Sequence, residues 1–398
     1  MVAGGQVNYM LDLEKLRQET PGCATRLHFN NAGCALSPIP VIEAVDTHLR
    51  LEQQVGGYEA AAIVTEQTEN FYAACARLLH CSPQEIAYVE NSTRAWDYAL
   101  HAIPFKPGEQ ILTGAMEYGS NYLELMHFAK RRELELIVID SDANGHIDVA
   151  QLQERLTPRT RLIALTHVAS HRGDIQPAAE VGRIARNAGV LFLLDACQSI
   201  GQLPIDVETI GCDLLCASGR KYLRGPRGTA FLYVAEHCLT QLDPVFVDLQ
   251  AASWDSAQGY TLRPDARRFE CFERSVAGQL GLGTAVEYAL TLGLDAIAAR
   301  IHELTVFLTE RLLALGDITL GERSDCRSGI ITFEKRGESA VLLQQRLQTQ
   351  GMNTSIARSS NARLDWGQTP TTERLRASVH YYNSEEEAER FVTAVSGR

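Results

Sequence analysis

Residues 191–234 read LFLLDACQSIGQLPIDVETIGCDLLCASGRKYLRGPRGTAFLYV, and their reading decides the fold. Leu191 to Leu194 is an apolar run of the length expected for a strand buried on both faces. It ends in Asp195, a carboxylate at a strand's C-terminal edge, where open α/β sheets place their ligand chemistry. A second run, Asp213 to Ala217, ends in Ser218-Gly219-Arg220-Lys221, followed by a Gly-Pro-Arg-Gly turn. A hydroxyl, a guanidinium and an amine are thus presented together on a neighbouring strand end. A lysine with anion-binding neighbours, facing an acid on another strand end, suits pyridoxal 5'-phosphate: the lysine for the Schiff base, the acid for the ring nitrogen, Ser218 and Arg220 for the phosphate.

Working outward, strand and helix patterns alternate on both sides of this stretch. Ile86–Val89 reads as a strand running into ENSTRAWDYALHAI, with Ser92 and Thr93 at the strand-to-helix junction. Such a junction is a plain N-cap or, in a βα unit upstream of the lysine, a phosphate site. ILTGA, a helix from Asn121 to Lys130, LELIVID, RLIALT and a helix from Ala178 to Asn187 follow. This order predicts an α/β, mostly parallel, doubly wound sheet. Tyr118, after the second strand, is placed to stack on a flat cofactor or to pack at the rim. HVASHRGDIQP (167–177) offers His167, Ser170, His171 and Arg172 in one polar turn, where each histidine alone serves equally well as a structural residue. An early loop, LHFNNAGCALSPIP (27–40), is expected either to be a domain-entry turn or to reach the substrate with the backbone amides of Asn31, Ala32 and Gly33. Residues 240–268 lack periodicity and read as a long functional loop. The C-terminal part, with strands GIITFE and LRASVHYY and several helices, reads as a smaller α+β unit.

The 398 residues suit two domains. We expect a large cofactor-binding domain over 21–265, and a small domain built from 1–20 and 266–398. Hydrophobic content of 45% and charged content of 22% are those of an ordinary soluble globular chain. A formal net charge of -12 without a basic run argues against nucleic acid. No apolar stretch approaches a membrane span, and the N-terminus lacks a signal-peptide pattern, so a cytoplasmic enzyme is expected. The ten cysteines are scattered. Cys75 and Cys216 lie inside apolar runs, no CxxC pair is present, and Cys212 with Cys216 lacks a second ligand pair, so they read as reduced thiols and no metal is expected.

Taken together these residues resemble the class V aminotransferase branch of fold-type-I pyridoxal-phosphate enzymes, the cysteine desulfurase-like proteins, over nearly the whole chain. DACQS is similar to the branch's Asp-x-x-Gln element, which implies that Asp195 pairs with the ring nitrogen and Gln198 bonds the phenolate oxygen. SGRK with GPRG is similar to Ser-x-His-Lys followed by Gly-Pro-x-Gly, implying Lys221 as the Schiff-base lysine, Ser218 as a phosphate ligand, and Arg220 in the place of a histidine. ENST implies phosphate contacts from Ser92 and Thr93. Tyr118 stands where desulfurases stack a histidine, and Ser170 where they carry an asparagine. LRASVHYYNSEEE resembles the Arg-x-Ser element, implying that Arg376 clamps the substrate carboxylate. The loop that carries the persulfide cysteine in desulfurases corresponds to SIARSSNARLDWG (355–367), and no cysteine follows Cys326, which itself lies before the GIITFE strand. Arg358 and Arg363 instead make this loop cationic and suited to a second anionic group.

NAGCALSP, VGGYEAA, ASHRG and RKYLRGPRG are further similar, in order, to hercynylcysteine sulfoxide lyase and related C–S lyases of ergothioneine and ovothiol type. The resemblance implies β-elimination from an S-substituted cysteine or its sulfoxide, giving a thiol or sulfenate, pyruvate and ammonia. Lys221 would be the base, the carboxylate would be held by Arg376 with Asn31, Ala32, His171 and Arg358 nearby, and His167, His171 or Tyr118 would protonate the sulfur. The alternatives on the same scaffold are a class V aminotransferase or amino-acid epimerase, and a desulfurase-like enzyme without the persulfide cysteine. The resemblance also implies a homodimer, with RRFECFERS (267–275) directed at the partner's phosphate and Glu273 near the threonine expected there.

Overall fold

The computed structural model describes residues 11–324, 327–366 and 372–397. Seven short apolar runs form one sheet: β1 (Ile86–Val89), β2 (Gln110–Gly114), β3 (Glu135–Ile139), β4 (Thr160–Thr166), β5 (Leu191–Asp195), β6 (Leu214–Ser218) and β7 (Ala230–Val234). Their spatial order is β1-β7-β6-β5-β4-β2-β3. β4, β5 and β6 are wholly or almost wholly buried because helices cover both faces, which is why they read as continuous apolar runs. The expected parallel pairing holds for β2–β3, β2–β4, β4–β5 and β5–β6. β7 runs antiparallel to both β6 and β1. The link between β6 and β7 contains no helix and falls short of the dozen or more residues a parallel crossover needs. Because one strand alone is reversed, the C-terminal ends of β1, β2, β4, β5 and β6 all meet one edge.

The helices that matter to the site are α1 (Ile39–Val55), α2 (Thr65–Leu79), α3 (Ser92–Ala102), α4 (Gly119–Arg132), α5 (Ala178–Ala188) and α6 (Val276–Leu292). α6 packs on α1 and α2. Among the described residues no single helix is long and apolar enough to cross a membrane.

Residues 240–268 differ from the expected unstructured loop: they hold an antiparallel hairpin of β8 (Ala252–Ser256) and β9 (Gly259–Leu262). Most of its side chains are exposed, so neither face writes the apolar alternation that marks a half-buried strand. A four-stranded antiparallel sheet follows, of β10 (Ile318–Leu320), β11 (Ile330–Lys335), β12 (Ser355–Arg358) and β13 (Glu373–Ser378), in the order β10-β11-β13-β12. The start of the chain is tied to this sheet's neighbourhood. Leu27–His28 pairs in parallel with Met352–Asn353, Asn30 bridges to Ser378, and Arg17 lies 2.9 Å from Glu387. Arg17, Leu27, His28 and Asn30 thus all contact the C-terminal part of the chain.

Candidate active site

Five strand ends on one edge bring the predicted residues together. Ser92, Thr93, Tyr118, Asp195, Ser218, Arg220 and Lys221, with Asn121 and Cys197, line one cavity of about 150 Å³. The chain turns into it at Gly219, whose amide donates to the Thr229 carbonyl at 3.0 Å. A Cβ there would stand 2.4 Å from Thr229 Oγ1 and 2.8 Å from Leu282, so only glycine lets β6 end this close to its neighbour and deliver Lys221. On the opposite wall Asn91 caps α3 by accepting from Arg94. The first two helical amides, of Ser92 and Thr93, have no acceptor within the helix and sit with their hydroxyls at an anion-binding N-terminus.

Asp195 forms the floor. Its Oδ1 accepts from the Cys197 amide at 2.8 Å and its Oδ2 from Asn121 Nδ2 at 2.7 Å. Asn121 and Glu117 are not singled out by the sequence, in which Tyr118 is the one residue of AMEYGSN with an evident cofactor role. The available signal was their i, i+4 spacing across the start of α4, which puts both on the face turned to the sheet. Burial pushes the Lys221 amine below its ordinary value; the Cys197 and Asp195 charges oppose this, and Arg220 and Arg376 add to it. Gln198 donates to the Ala32 carbonyl at 3.0 Å, while its buried Oε1 has no hydrogen-bond partner.

β13 supplies Arg376, which lies outside the lining of this cavity but close enough to Lys221 to act on it electrostatically. Arg376 donates to the Ser170 carbonyl at 2.8 Å and reaches Asn30 Oδ1 at 3.4 Å, and its buried Nε is without a partner. No carboxylate pairs with it among the described residues. Desolvation holds its pKa below the usual arginine range, and Tyr118 and Arg220 are close enough to act on it electrostatically. A buried guanidinium with spare donors and no anion is built to receive one.

Other expected contacts are not realised. Asn31 is fully buried and bonded internally, donating to the Ser378 carbonyl at 2.7 Å and accepting from Tyr382 Oη. The Ala32 amide donates to Ser378 Oγ at 2.9 Å and the Gly33 amide to the Asn30 carbonyl at 3.0 Å. The early loop is thus a joint to the segment around Ser378, with the Ala32 and Gly33 amides taken up internally. His167 bonds Ser199 Oγ at 3.0 Å, and burial lowers its pKa to about 4, so it is neutral at pH 7. His171 is turned away to Asp365, 3.3 Å from its Nε2, and its ring packs edge-on against Trp366. Arg358 is exposed on its strand and does not line the cavity.

The segment after β12 lies over the mouth. The Asn361 carbonyl would stand 2.8 Å from a Cβ on Gly119, next to Tyr118. Asp365 anchors this segment: it is buried and takes Arg172 at 3.3 Å as well as His171, with Arg323 at 3.7 Å. Arg172 also holds Asp174 at 2.8 Å. Ser359–Asn361, Ala362 and Arg363 offer no thiol. The nine described cysteines are all free, and Cys326 lies outside the described residues.

The set fits pyridoxal 5'-phosphate: a desolvated lysine, an acid on the floor, an orphaned buried amide oxygen, and an anion site of helix amides, hydroxyls and Arg220. A "Probable cysteine desulfurase" of Xylella fastidiosa (strain Temecula1) is 30% identical over 96% of this chain and 95% of its own. The apo structure of cysteine desulfurase from Thermococcus onnurineus NA1 superposes with a TM-score of 0.91 at 26% identity, covering 98% of each chain. A cystine C–S lyase, solved with its product cysteine persulfide, shares the fold with a TM-score of 0.86 at 23% identity, covering 95% of this chain and 99% of its own. The fold is that of the fold-type-I pyridoxal-phosphate enzymes, and the relatives fit the desulfurase-like alternative better than the expected closeness to sulfoxide lyases. Residues 27–391 match the model of the family described as aminotransferase class-V, and the chain belongs to that family.

Proposed function

We propose that this chain is a desulfurase-like pyridoxal-phosphate enzyme that breaks the Cβ–S bond of a cysteine-derived amino acid without loading the sulfur on a thiol of its own. The observation that carries this reading is the mouth segment, where Ser359 to Arg363 presents hydroxyl, amide and guanidinium groups and no cysteine. A thiol there would draw sulfur from the bound substrate and leave alanine. Without one, the sulfur departs from Cβ as a leaving group, and the remaining three carbons hydrolyse to pyruvate and ammonia.

The cofactor, when bound, supplies an electron sink that makes the substrate Cα–H acidic. Arg376 holds the substrate carboxylate through its spare donors. The Lys221 amine, whose pKa is lowered by desolvation, is the base for the α-proton. Asp195, fixed by Asn121 and the Cys197 amide, is the acid that would pair with the ring nitrogen. Ser92, Thr93, Ser218 and Arg220 would hold the phosphate, and Gln198 would serve the phenolate oxygen, with the Ser170 carbonyl bonded to Arg376. Of the three candidate acids for the departing sulfur, His167 is neutral and His171 is tied to Asp365. Tyr118 lines the cavity and its hydroxyl has no hydrogen-bond partner among the described residues, so it is the donor we assign.

A homodimer is part of this reading. Ile39, Ile42 and Leu49 on α1, and Phe246, Leu249 and Trp254 near the hairpin, are large apolar side chains exposed on the single chain. Desulfuration proper, with an outside thiol accepting the sulfur, is the second reading, favoured by the desulfurases among the relatives.

The deciding experiment offers the holoprotein L-cysteine, L-cystine, S-alkylcysteines and their sulfoxides, and measures pyruvate, ammonia and alanine. Pyruvate and ammonia in equal amounts support elimination, and the best substrate identifies the S-substituent, sulfoxides of ergothioneine type included. Alanine overturns it for desulfuration. Conversion of the cofactor to its amine form, with neither product, overturns it for aminotransfer.

A further inference from the structure

Behind Asp195 lies a second buried carboxylate that the reaction described above leaves without a task. Glu117, 4% exposed, sits in the turn between β2 and α4. Its Oε1 accepts from Asn121 Nδ2 at 3.0 Å, from the Tyr118 amide at 2.9 Å and from the Thr166 hydroxyl. Its Oε2 has one partner of a different kind, the Thr113 hydroxyl at 3.1 Å. Asn121 Nδ2 carries two hydrogens and is placed on both acids, 3.0 Å from Glu117 and 2.7 Å from Asp195. One amide group therefore bridges the two carboxylates.

The elements packed around Glu117 supply no cation. β2 contributes Thr113, β4 Thr166, β5 Asp195, β6 the Cys216 thiol, and α4 with its cap Asn121 and Tyr118. No lysine, arginine or histidine pairs with Glu117 among the described residues. Two negative charges sharing one donor in a water-poor site repel strongly. The hydrogen bonds also indicate where a proton would reside. Oε1 is engaged by three donors, whereas the hydroxyl on Oε2 can turn round and accept.

We propose that Glu117 is a positioning residue that carries a proton on Oε2, donated to Thr113, while Asp195 is ionised, and that through Asn121 it sets the charge Asp195 presents to the cofactor ring. Burial pushes the Glu117 carboxyl up to about 7; the Thr166 hydroxyl opposes this and the Asp195 charge adds to it. Below this pH the pair carries one negative charge. Above it the pair carries two, which strengthens proton retention at the ring nitrogen that Asp195 faces. Lys221 feels the Asp195 charge directly, so the titration reaches the lysine end of the site as well.

The inference rests on the cofactor reading only where it speaks of the ring. Glu117→Gln is the informative variant, since its amide keeps an oxygen for the three donors and places N–H where the protonated acid donates. In the holoprotein, the visible absorbance of the cofactor followed against pH should show an inflection near pH 7 that is lost in Glu117→Gln, with the two spectra agreeing below it. In the cofactor-free protein, pH-difference infrared spectra should show a buried protonated carboxyl that ionises over the same range and is absent from Glu117→Gln. Asn121→Ala should keep the infrared signal and lose the inflection in the cofactor spectrum. The proposal is overturned if wild type and Glu117→Gln titrate alike in the visible, or if the infrared band is missing at pH 6. A protein that takes up no cofactor, yet shows the infrared band, refutes the cofactor assignment and keeps the protonated Glu117.

Discussion

The floor of the site and its mouth are built by opposite strategies. The floor (Ser92, Thr93, Asp195, Ser218 and Lys221) stands at or just beyond strand ends of one sheet, within residues 91–229. Its positions are inherited from the hydrogen-bond ladder and from glycine-tight turns such as Gly219. The mouth joins Arg376 on β13, Ser170 after β4, Asn30, and Asp365 after β12, which, Asp365 and Arg376 apart, lie more than 100 positions from one another. In the function proposed above, the floor would set the chemistry by holding the cofactor, and the mouth would set which carboxylate and which sulfur substituent enter. A family can keep the first while altering the second, and the missing thiol at residues 359–363 is a change of that kind.

Substitutions can pull the two regions apart. Lys221→Ala, at the floor, should remove about 10⁴-fold of turnover for every substrate, the scale of a lost general base; product assays with several substituents check the uniformity. Tyr118→Phe stands between floor and mouth. It should lower kcat about 10²-fold for thiolates that leave poorly and far less for good leaving groups, and equal losses across a leaving-group series would remove Tyr118 as the acid. Arg376→Lys, at the mouth, should raise KM roughly 30-fold by losing about 2 kcal/mol of charge-assisted hydrogen bonding, with kcat little changed. A fall confined to kcat would show that the clamp acts on the transition state alone.

Asp365→Asn should have the smallest effect on turnover and be seen chiefly in stability, at about 2 kcal/mol. It also sharpens the comparison through pH. Burial alone would raise the Asp365 pKa, but the His171 hydrogen bond and the Arg172, His171 and Arg323 charges outweigh it and hold it below the ordinary value. The folded chain thus binds fewer protons here than the unfolded chain. This stabilisation is complete above the unfolded pKa of about 3.9 and is lost as pH falls through the depressed folded value. Denaturation profiles of wild type and Asp365→Asn should therefore converge on acidification, and parallel profiles would argue against the anchor.

The same division explains what could be read without coordinates. β5 and β6 were legible because burial on both faces writes an unbroken apolar run, and their terminal Asp195 and Lys221 inherit their placement from it. Arg376 was legible through its resemblance to a family element. The hairpin β8–β9 left no period because it is exposed on both faces. The internal bonding of Asn31 and of the Ala32 amide was not legible, since their partners, Ser378 and Tyr382, lie about 350 residues away. Glu117 and Asn121 were overlooked because an acid and an amide one helical turn apart are common on surfaces, and only the approach of Asp195 from another strand gives them meaning.

The parallel pairing of Leu27–His28 with Met352–Asn353 also dictates an order of events during synthesis. Leu27–His28 must wait for a segment made some 325 residues later. At roughly 5–20 residues per second, that interval is on the order of 20–70 s. Toward the end of that interval the cofactor cavity has all its lining residues, and α6 has been made to cover α1 and α2, while Arg376 has not yet been made. A nascent chain should therefore acquire its cofactor before it can hold a substrate, and trapping the lysine-bound cofactor with a hydride reductant on chains stalled at successive lengths would read that sequence directly. Capture that begins only at full length would mean that the two ends of the chain must meet before the floor is formed.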